Sequence, residues 1–121
     1  MKKVLVIDDE PGIAQLVSWC LDSLGLEVIQ ASGRDTALQR ARADEIGLVL
    51  LDFDLGDEDG LDILPDLRRE PGLRDVPVVA FTAHDSRRRE AIDSGVASFI
   101  ARPFSGSQLR ETVQSLVAGS P

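Results

Sequence analysis

Leu48-Val49-Leu50-Leu51 runs without a polar break into Asp52, and the acidic stretch Phe53-Asp54-Leu55-Gly56-Asp57-Glu58-Asp59 then closes on Gly60. A strand wet on one side alternates apolar and polar residues, so a continuous apolar run of this kind suits a strand covered on both faces. Asp52 then stands where the strand leaves the sheet. The same pattern recurs near the start of the chain, where Val4-Leu5-Val6-Ile7 ends in Asp8-Asp9-Glu10. Covering both sides of such strands takes helices above and below the sheet, which confines the chain to the α/β class.

The remaining sequence supplies those helices. Pro11-Gly12 opens a first helix with Ile13, Val17, Cys20, Leu21 and Leu24 at helical spacing, and Gly25 ends it. Glu27 to Ala31 is a short second strand. Ser32, with Asp35 three residues on, predicts the cap of a helix that turns Ala37, Leu38 and Ala41 inward. The third strand covers Leu48 to Asp52. The helix after Gly60 contains Pro65, so it is expected to be short, delayed or kinked, and Pro71-Gly72 stops it. Val76 to Thr82 is a fourth strand. Asp85 or Ser86 caps a fourth helix whose first turn is crowded by Arg87, Arg88 and Arg89 against the helix dipole. Ser98 to Ala101 is a fifth strand, and Ser105 with Gln108 starts a last helix burying Leu109, Val113, Leu116 and Val117. Five strand–helix units call for a parallel sheet with right-handed crossovers.

The 121 residues read as one domain, 1–121, with 118–121 as a tail or severed linker. A net charge of −8 argues against direct nucleic-acid binding, which relies on clustered Lys and Arg. The single cysteine, Cys20, permits no internal disulfide. No apolar run is long enough for a signal core or a membrane span, so the expected location is the cytoplasm.

In open α/β sheets ligands bind outside the carboxyl ends of the strands, where strand order reverses. If the first and third strands are neighbours there, Asp8, Asp9 and Asp52 share one pocket. Gathered carboxylates either rise in pKa or take in a cation. Oxygen donors without His or Cys favour Mg²⁺ or Mn²⁺, which commonly binds phosphate oxygens as well. A carboxylate beside such an ion can act as nucleophile and carry a phosphoryl group. Asp52 is the candidate, with the Thr82 hydroxyl and the Arg102 cation expected to meet the phosphoryl on the side opposite the metal.

At this point the residues resemble a known family. Val4-Leu5-Val6-Ile7-Asp8-Asp9-Glu10-Pro11, Leu50-Leu51-Asp52, Asp59-Gly60, Phe81-Thr82-Ala83 and Arg102-Pro103-Phe104 look like the signatures of the receiver domain of two-component response regulators. The resemblance implies a flavodoxin-like, doubly wound five-stranded parallel sheet in the order 2-1-3-4-5 with five helices. It implies phosphorylation of Asp52, with metal held by Asp9, Asp52 and the backbone carbonyl of Asp54, and by Asp8 through a water. It also implies Thr82 as a switch hydroxyl and Phe99 as the aromatic that changes rotamer with it. A histidine kinase, histidine phosphotransfer protein or small phosphodonor would supply the phosphoryl. The surface of the fourth helix, fifth strand and fifth helix would address an effector, a fused output domain or a second copy of the chain. Such a domain is a phosphoacceptor switch, confined to its own phosphorylation and dephosphorylation, rather than an enzyme with turnover on other substrates. Three positions depart from the pattern: Arg102 stands for the usual lysine, Gly56 for a common proline, and Asp54 for an apolar or amide residue.

Plainer readings stand beside these. An EF-hand starting at Asp52 would need glycine at Asp57 and glutamate at Ile63, so a calcium loop fails on spacing. Asp57, Glu58 and Asp62 read as solvated charges, His84 as an exposed loop residue, and Arg87 to Arg89 as a solvated face. Cys20 reads as a small buried hydrophobe, and Trp19 with Leu16 as the edge of the first helix. Two rival functions remain at this stage. One is a phosphorylation-independent pseudo-receiver that binds by shape. The other is a Mg²⁺ phosphohydrolase using Asp54 as acid/base, for which 121 residues leave no substrate cap.

Overall fold

The computed structural model describes residues 2–82 and 85–118, with the side chains of Asp85 and Ala118 set aside. Five strands, β1 (Lys3–Ile7), β2 (Glu27–Ala31), β3 (Ile46–Leu51), β4 (Val78–Thr82) and β5 (Ser98–Ala101), form one sheet in the order β2-β1-β3-β4-β5. Every pairing in it is parallel. This is the flavodoxin-like order expected. Helices α1 (Ile13–Leu21), α2 (Arg34–Ala43), α3 (Gly60–Arg69) and α4 (Arg88–Asp93) make the crossovers, and α5 (Gly106–Ala118) follows the last strand.

The period of two along each strand explains why both faces must be covered. Leu5, Ile7, Val49, Leu51, Val78 and Ala80 face one core with Ala37 and Ala41 of α2 and Ile63, Leu64 and Leu67 of α3. Their neighbours Val4, Val6, Leu48, Leu50, Val79 and Phe81 face a second core with Ile13, Val17 and Leu21 of α1 and Leu109 and Val113 of α5. Burying each large apolar side chain contributes about 1.5–3 kcal/mol, so the central strands β1, β3 and β4 anchor both layers.

Several boundaries differ from expectation for physical reasons. The third strand starts at Ile46 and ends at Leu51, which leaves Asp52 just outside it, and the fourth starts at Val78 because Pro77 precedes it. The Pro77 carbonyl still accepts from the Val49 amide at 3.0 Å. At α2 the cap is not Ser32 with Asp35: the Thr36 hydroxyl accepts from the Ser32 and Gly33 amides at 3.0 and 3.2 Å. α3 is neither delayed nor shortened by Pro65, and it runs ten residues from an Asp59 cap whose carboxylate accepts from the Leu61 amide. Pro65 lies on the exposed side, where water can satisfy the carbonyl that loses its donor. Ser105 caps α5 as expected, accepting from the Gln108 amide at 3.0 Å. Leu116 of that helix is half-buried and Val117 is 40% exposed, so the buried stripe ends earlier than predicted. Cys20 is half-buried, not fully buried, and Trp19 and Leu16 are exposed on α1.

After β3 the chain makes a two-residue antiparallel ladder, Asp54–Leu55 with Glu58–Asp59, around Gly56 at a positive φ of 70°. It then enters α3 at Gly60, whose amide donates to the Phe53 carbonyl. A Cβ at Gly60 would fall 2.7 Å from the Asp52 carbonyl oxygen and 2.8 Å from Phe53 Cα, both backbone atoms that cannot swing aside. Gly60→Ala is therefore expected to lower stability by about 2–3 kcal/mol through overpacking, read as a reduced urea midpoint with unchanged slope.

Candidate functional site

The β1–β3 register pairs Ile7 with Leu51, and the Asp52 amide donates to the Ile7 carbonyl at 3.0 Å. The residues that follow the two strands therefore leave the sheet side by side. Asp8 and Asp52 are both buried at this edge, 1% and 5% exposed. Local backbone bonds hold them: Asp8 Oδ1 accepts from the Glu10 amide at 2.9 Å, and Asp52 Oδ1 accepts from the Asp54 amide at 3.0 Å. Gln30, from the neighbouring β2, donates to the carbonyls of Asp8 and Glu10 at 2.7 and 3.0 Å, fixing the path of the first acidic turn.

Asp9 is exposed and leans toward the loop after Asp52, since a Cβ on Gly56 would stand 3.3 Å from its Oδ2. The donors are carboxylates and carbonyls, a hard-oxygen set that fits Mg²⁺ or Mn²⁺ in chemistry. In the arrangement seen, no three acidic, His or Cys side chains among the described residues are grouped so as to hold an ion. The cation in contact with Asp8 and Asp52 is Arg102. Its Nη2 bonds Asp8 Oδ2 and lies 3.7 Å from Asp52 Oδ2, and its Nη1 lies 3.3 Å from Glu10 Oε2. Thr82, at the end of β4, is fully buried and donates from Oγ1 to Asp54 Oδ2 at 2.6 Å.

Comparison with known proteins gives this edge a context. A family model described as the response regulator receiver domain matches residues 4–114. The chain belongs to the receiver domains of two-component response regulators. It is 29% identical over 118 residues to the phosphate regulon transcriptional regulatory protein PhoB of Escherichia coli, covering 96% of this chain and 52% of that protein. It is 37% identical over 112 residues to the alginate biosynthesis regulator AlgB of Pseudomonas syringae, covering 89% of this chain and 24% of that one. The chain thus spans about half the length of PhoB and a quarter of AlgB. Among solved structures it resembles the response regulator TrrA of Thermotoga maritima in complex with Mg(2+)-BeF, at TM-score 0.82 and 28% identity over 96% of this chain and 99% of that one.

Within this receiver domain the predicted residues fall into two groups. Asp8, Asp52 and Arg102 come together, with Asp9 at the rim. Asp54 and Thr82 form a second cluster with Arg87, which overturns the reading of Arg87 as part of a solvated face. The Arg87 side chain is only 16% exposed. Its Nη2 donates to both Asp59 carboxylate oxygens at 2.9 and 2.8 Å, and its Nη1 donates to the Phe53 carbonyl and Asp54 Oδ1, each at 3.3 Å. The guanidinium also lies 5.2 Å from the Phe53 ring centroid. Arg88 lies over the Phe99 ring at 4.7 Å, and both it and Arg89 are exposed. A signal for Arg87 existed in the sequence: from Asp52 to Asp66 there are acids but no Lys or Arg, so compensating cations had to come from elsewhere in the chain. Arg102 lies among the acids of the first turn, bonded to Asp8 and close to Glu10. His84 and Ala83 lie outside the described residues.

Burial pushes the Asp52 carboxyl up from 3.8 to about 6, against the pull of the Asp54 amide and Arg102, with Asp8 and Asp54 adding upward pressure. A carboxyl raised in the folded state keeps its proton while the unfolded chain loses its own, so stability falls as pH climbs from about 4 to about 6. Asp52→Asn retains the Oδ1 acceptor and removes that cost. In EDTA at pH 7.5 it is expected to be more stable than the parent by about 1–3 kcal/mol, with the gain gone at pH 4. Urea titrations at the two pH values measure this, and an equal gain at both would contradict it. For the second cluster, Arg87→Ala is expected to cost about 1–3 kcal/mol, because it strands the Asp59 and Asp54 carboxylates and uncovers Phe53. Thermal melts at neutral pH check it, and an unchanged midpoint would mean the clasp contributes nothing net.

Proposed function

We propose that this receiver domain accepts a phosphoryl group on Asp52 in a Mg²⁺-dependent reaction and uses it to shift a partner-binding surface between two states. The observation that carries the reading is the meeting of two buried carboxylates, Asp8 and Asp52, with the Arg102 cation at the carboxyl edge of β1 and β3. Asp9, Asp52, the backbone carbonyl of Asp54 and, through water, Asp8 would hold the ion. When bound, Mg²⁺ or Mn²⁺ supplies the positive charge that steadies the phosphoryl oxygens.

Asp52 is suited to nucleophilic attack because one oxygen, Oδ1, is held by the Asp54 amide, which orients the other toward an incoming phosphorus. A new Oδ–P bond forms as the donor's N–P or acyl O–P bond breaks, and the leaving group departs with that electron pair. Arg102, 3.7 Å from Asp52 Oδ2, is the cation that would meet the transferred oxygens. Thr82 would turn its hydroxyl from Asp54 to the phosphoryl, and Phe99 would follow, altering the α4–β5–α5 surface.

A histidine kinase or histidine phosphotransfer protein would donate, and an effector, a fused output domain or a second copy of the chain would read the altered face. PhoB and AlgB are transcriptional regulatory proteins by name, consistent with an output located outside the matched region. Among the described residues no helix is long and apolar enough to cross a membrane. We place the protein in the cytoplasm, where such kinases transfer phosphoryl groups. The domain modifies itself and turns over no other substrate.

Incubation with Mg²⁺ and acetyl phosphate should add one phosphoryl group by intact mass, removable by mild base, and beryllofluoride should shift backbone amide resonances around Asp52, Thr82 and Phe99. Both responses should vanish in Asp52→Asn or in EDTA. A parent protein that gives neither response at saturating donor and metal would defeat the proposal and favour a phosphorylation-independent module.

A further inference from the structure

Arg102 is held more tightly than a side chain waiting for a phosphoryl group needs to be. Its own amide donates to the Thr82 carbonyl at 3.0 Å, which fixes its root at the end of β5. From there one nitrogen, Nη2, serves Asp8 and reaches toward Asp52, while Nη1 reaches Glu10. The flat guanidinium covers Phe81 at 4.4 Å from the ring centroid. The side chain is only 19% exposed, and its Nε is buried with no hydrogen-bond partner. An unpartnered buried N–H costs free energy, so the pose is maintained by the carboxylates gathered around the other two nitrogens.

We propose that Arg102 is a tethered counter-ion that competes with the divalent cation for Asp8 and Asp52, so that loading the ion requires the guanidinium to leave Asp8. The proposal rests on the reading of these acids as the metal and phosphoryl site. Its physical basis is that one positive group already bonds Asp8, approaches Asp52 and reaches Glu10, in an arrangement where no three acidic, His or Cys side chains among the described residues are grouped to hold an ion. A lysine has a single compact head. The guanidinium fork can engage Asp8 and Glu10 together while leaning on an aromatic ring, so departure breaks several contacts at once. The same departure would satisfy two needs, freeing Asp8 for the hydrated ion and delivering a cation to the phosphoryl on Asp52. Arg102 would then act as a positioning residue that sets metal affinity as well as a partner of the product.

Mn²⁺ binding followed by the paramagnetic signal of the free ion tests this on the parent, Arg102→Met and Arg102→Lys. Arg102→Met keeps an apolar cover on Phe81 without charge, and should bind Mn²⁺ roughly tenfold more tightly, as expected when a charge-assisted bond no longer has to be broken. Arg102→Lys should fall between the two. Because loss of any nearby positive charge raises cation affinity somewhat, a second readout is needed. The Arg102 Nε–H resonance, assigned by its absence in Arg102→Met, should move and exchange faster with water as diamagnetic Mg²⁺ saturates the parent. Equal Mn²⁺ affinities, or an Nε–H signal unmoved at Mg²⁺ saturation, would overturn the counter-ion role, and beryllofluoride uptake by the parent would show that the phosphoacceptor reading survives. Failure of every variant to bind Mn²⁺, together with no beryllofluoride response, would remove both.

Discussion

Everything at the carboxyl edge depends on one parallel pairing. With Ile7 opposite Leu51, the amide of Asp52 bonds back to the carbonyl of Ile7, and the acids that end the two strands are forced into a single pocket. Register here is not free to slip. A shift of one residue would turn Leu5, Ile7, Val49 and Leu51 out of one core and into the other, against helices sized for different side chains. The apolar cores above and below the sheet thus hold together charges that would otherwise separate. The cost of that proximity appears in Asp52, whose carboxyl is raised to about 6 mainly because it is buried.

Two arginines offset part of the acidic charge at this edge, and they take different acids. Arg102 takes Asp8 and Glu10 and lies near Asp52, while Arg87 takes Asp54 and Asp59. Each also lies over an aromatic ring, Phe81 or Phe53, that belongs to the strand end or loop it guards. A guanidinium suits both places because it can bond two acceptors in its plane and present a weakly hydrated face to a ring. Each of the three positions that depart from the expected pattern has a local role. Arg102 supplies the fork that a lysine lacks. Asp54 brings a charge that Arg87 and Thr82 absorb, and Gly56 supplies the positive φ of the turn between them.

The strand–helix alternation and the pocket were legible in the chain because both follow from uninterrupted apolar runs. Leu48 to Leu51 and Val4 to Ile7 suit strands covered on both faces, and in a parallel sheet a carboxylate after each falls at the carboxyl edge. Interactions that depend on side-chain reach were not legible. Ser32 and Asp35 match a capping pattern, yet Thr36 makes the bonds because its hydroxyl folds back on the Ser32 and Gly33 amides. Pro65 interrupts no helix because its ring points to water. The Arg87-Arg88-Arg89 run looked uniform, but the entry to α4 separates its members: Arg87, just before the helix, reaches inward to the acids, Arg88 lies over Phe99, and Arg89 faces solvent.

That division along α4 bears on how a charge change at Asp52 would reach a distant face. The acidic loop is bonded to Thr82 at the end of β4 through Asp54, and to the start of α4 through Arg87. The next residue, Arg88, rests on Phe99 in β5. Adding a cation and a phosphoryl group alters the charge to be balanced on the loop, and the groups free to respond are those whose bonds are electrostatic rather than packed. α4 is the element least able to resist. It spans six residues, buries Ala91 alone among its side chains, and leaves Ile92 56% exposed. An element with so little buried apolar surface opens or shifts at low cost. Asp54 thus shares its two carboxylate oxygens between Thr82 and Arg87, so a change at one would be felt at the entry to the least buried helix, while α1, α3 and α5, each with large side chains in a core, hold the sheet in place.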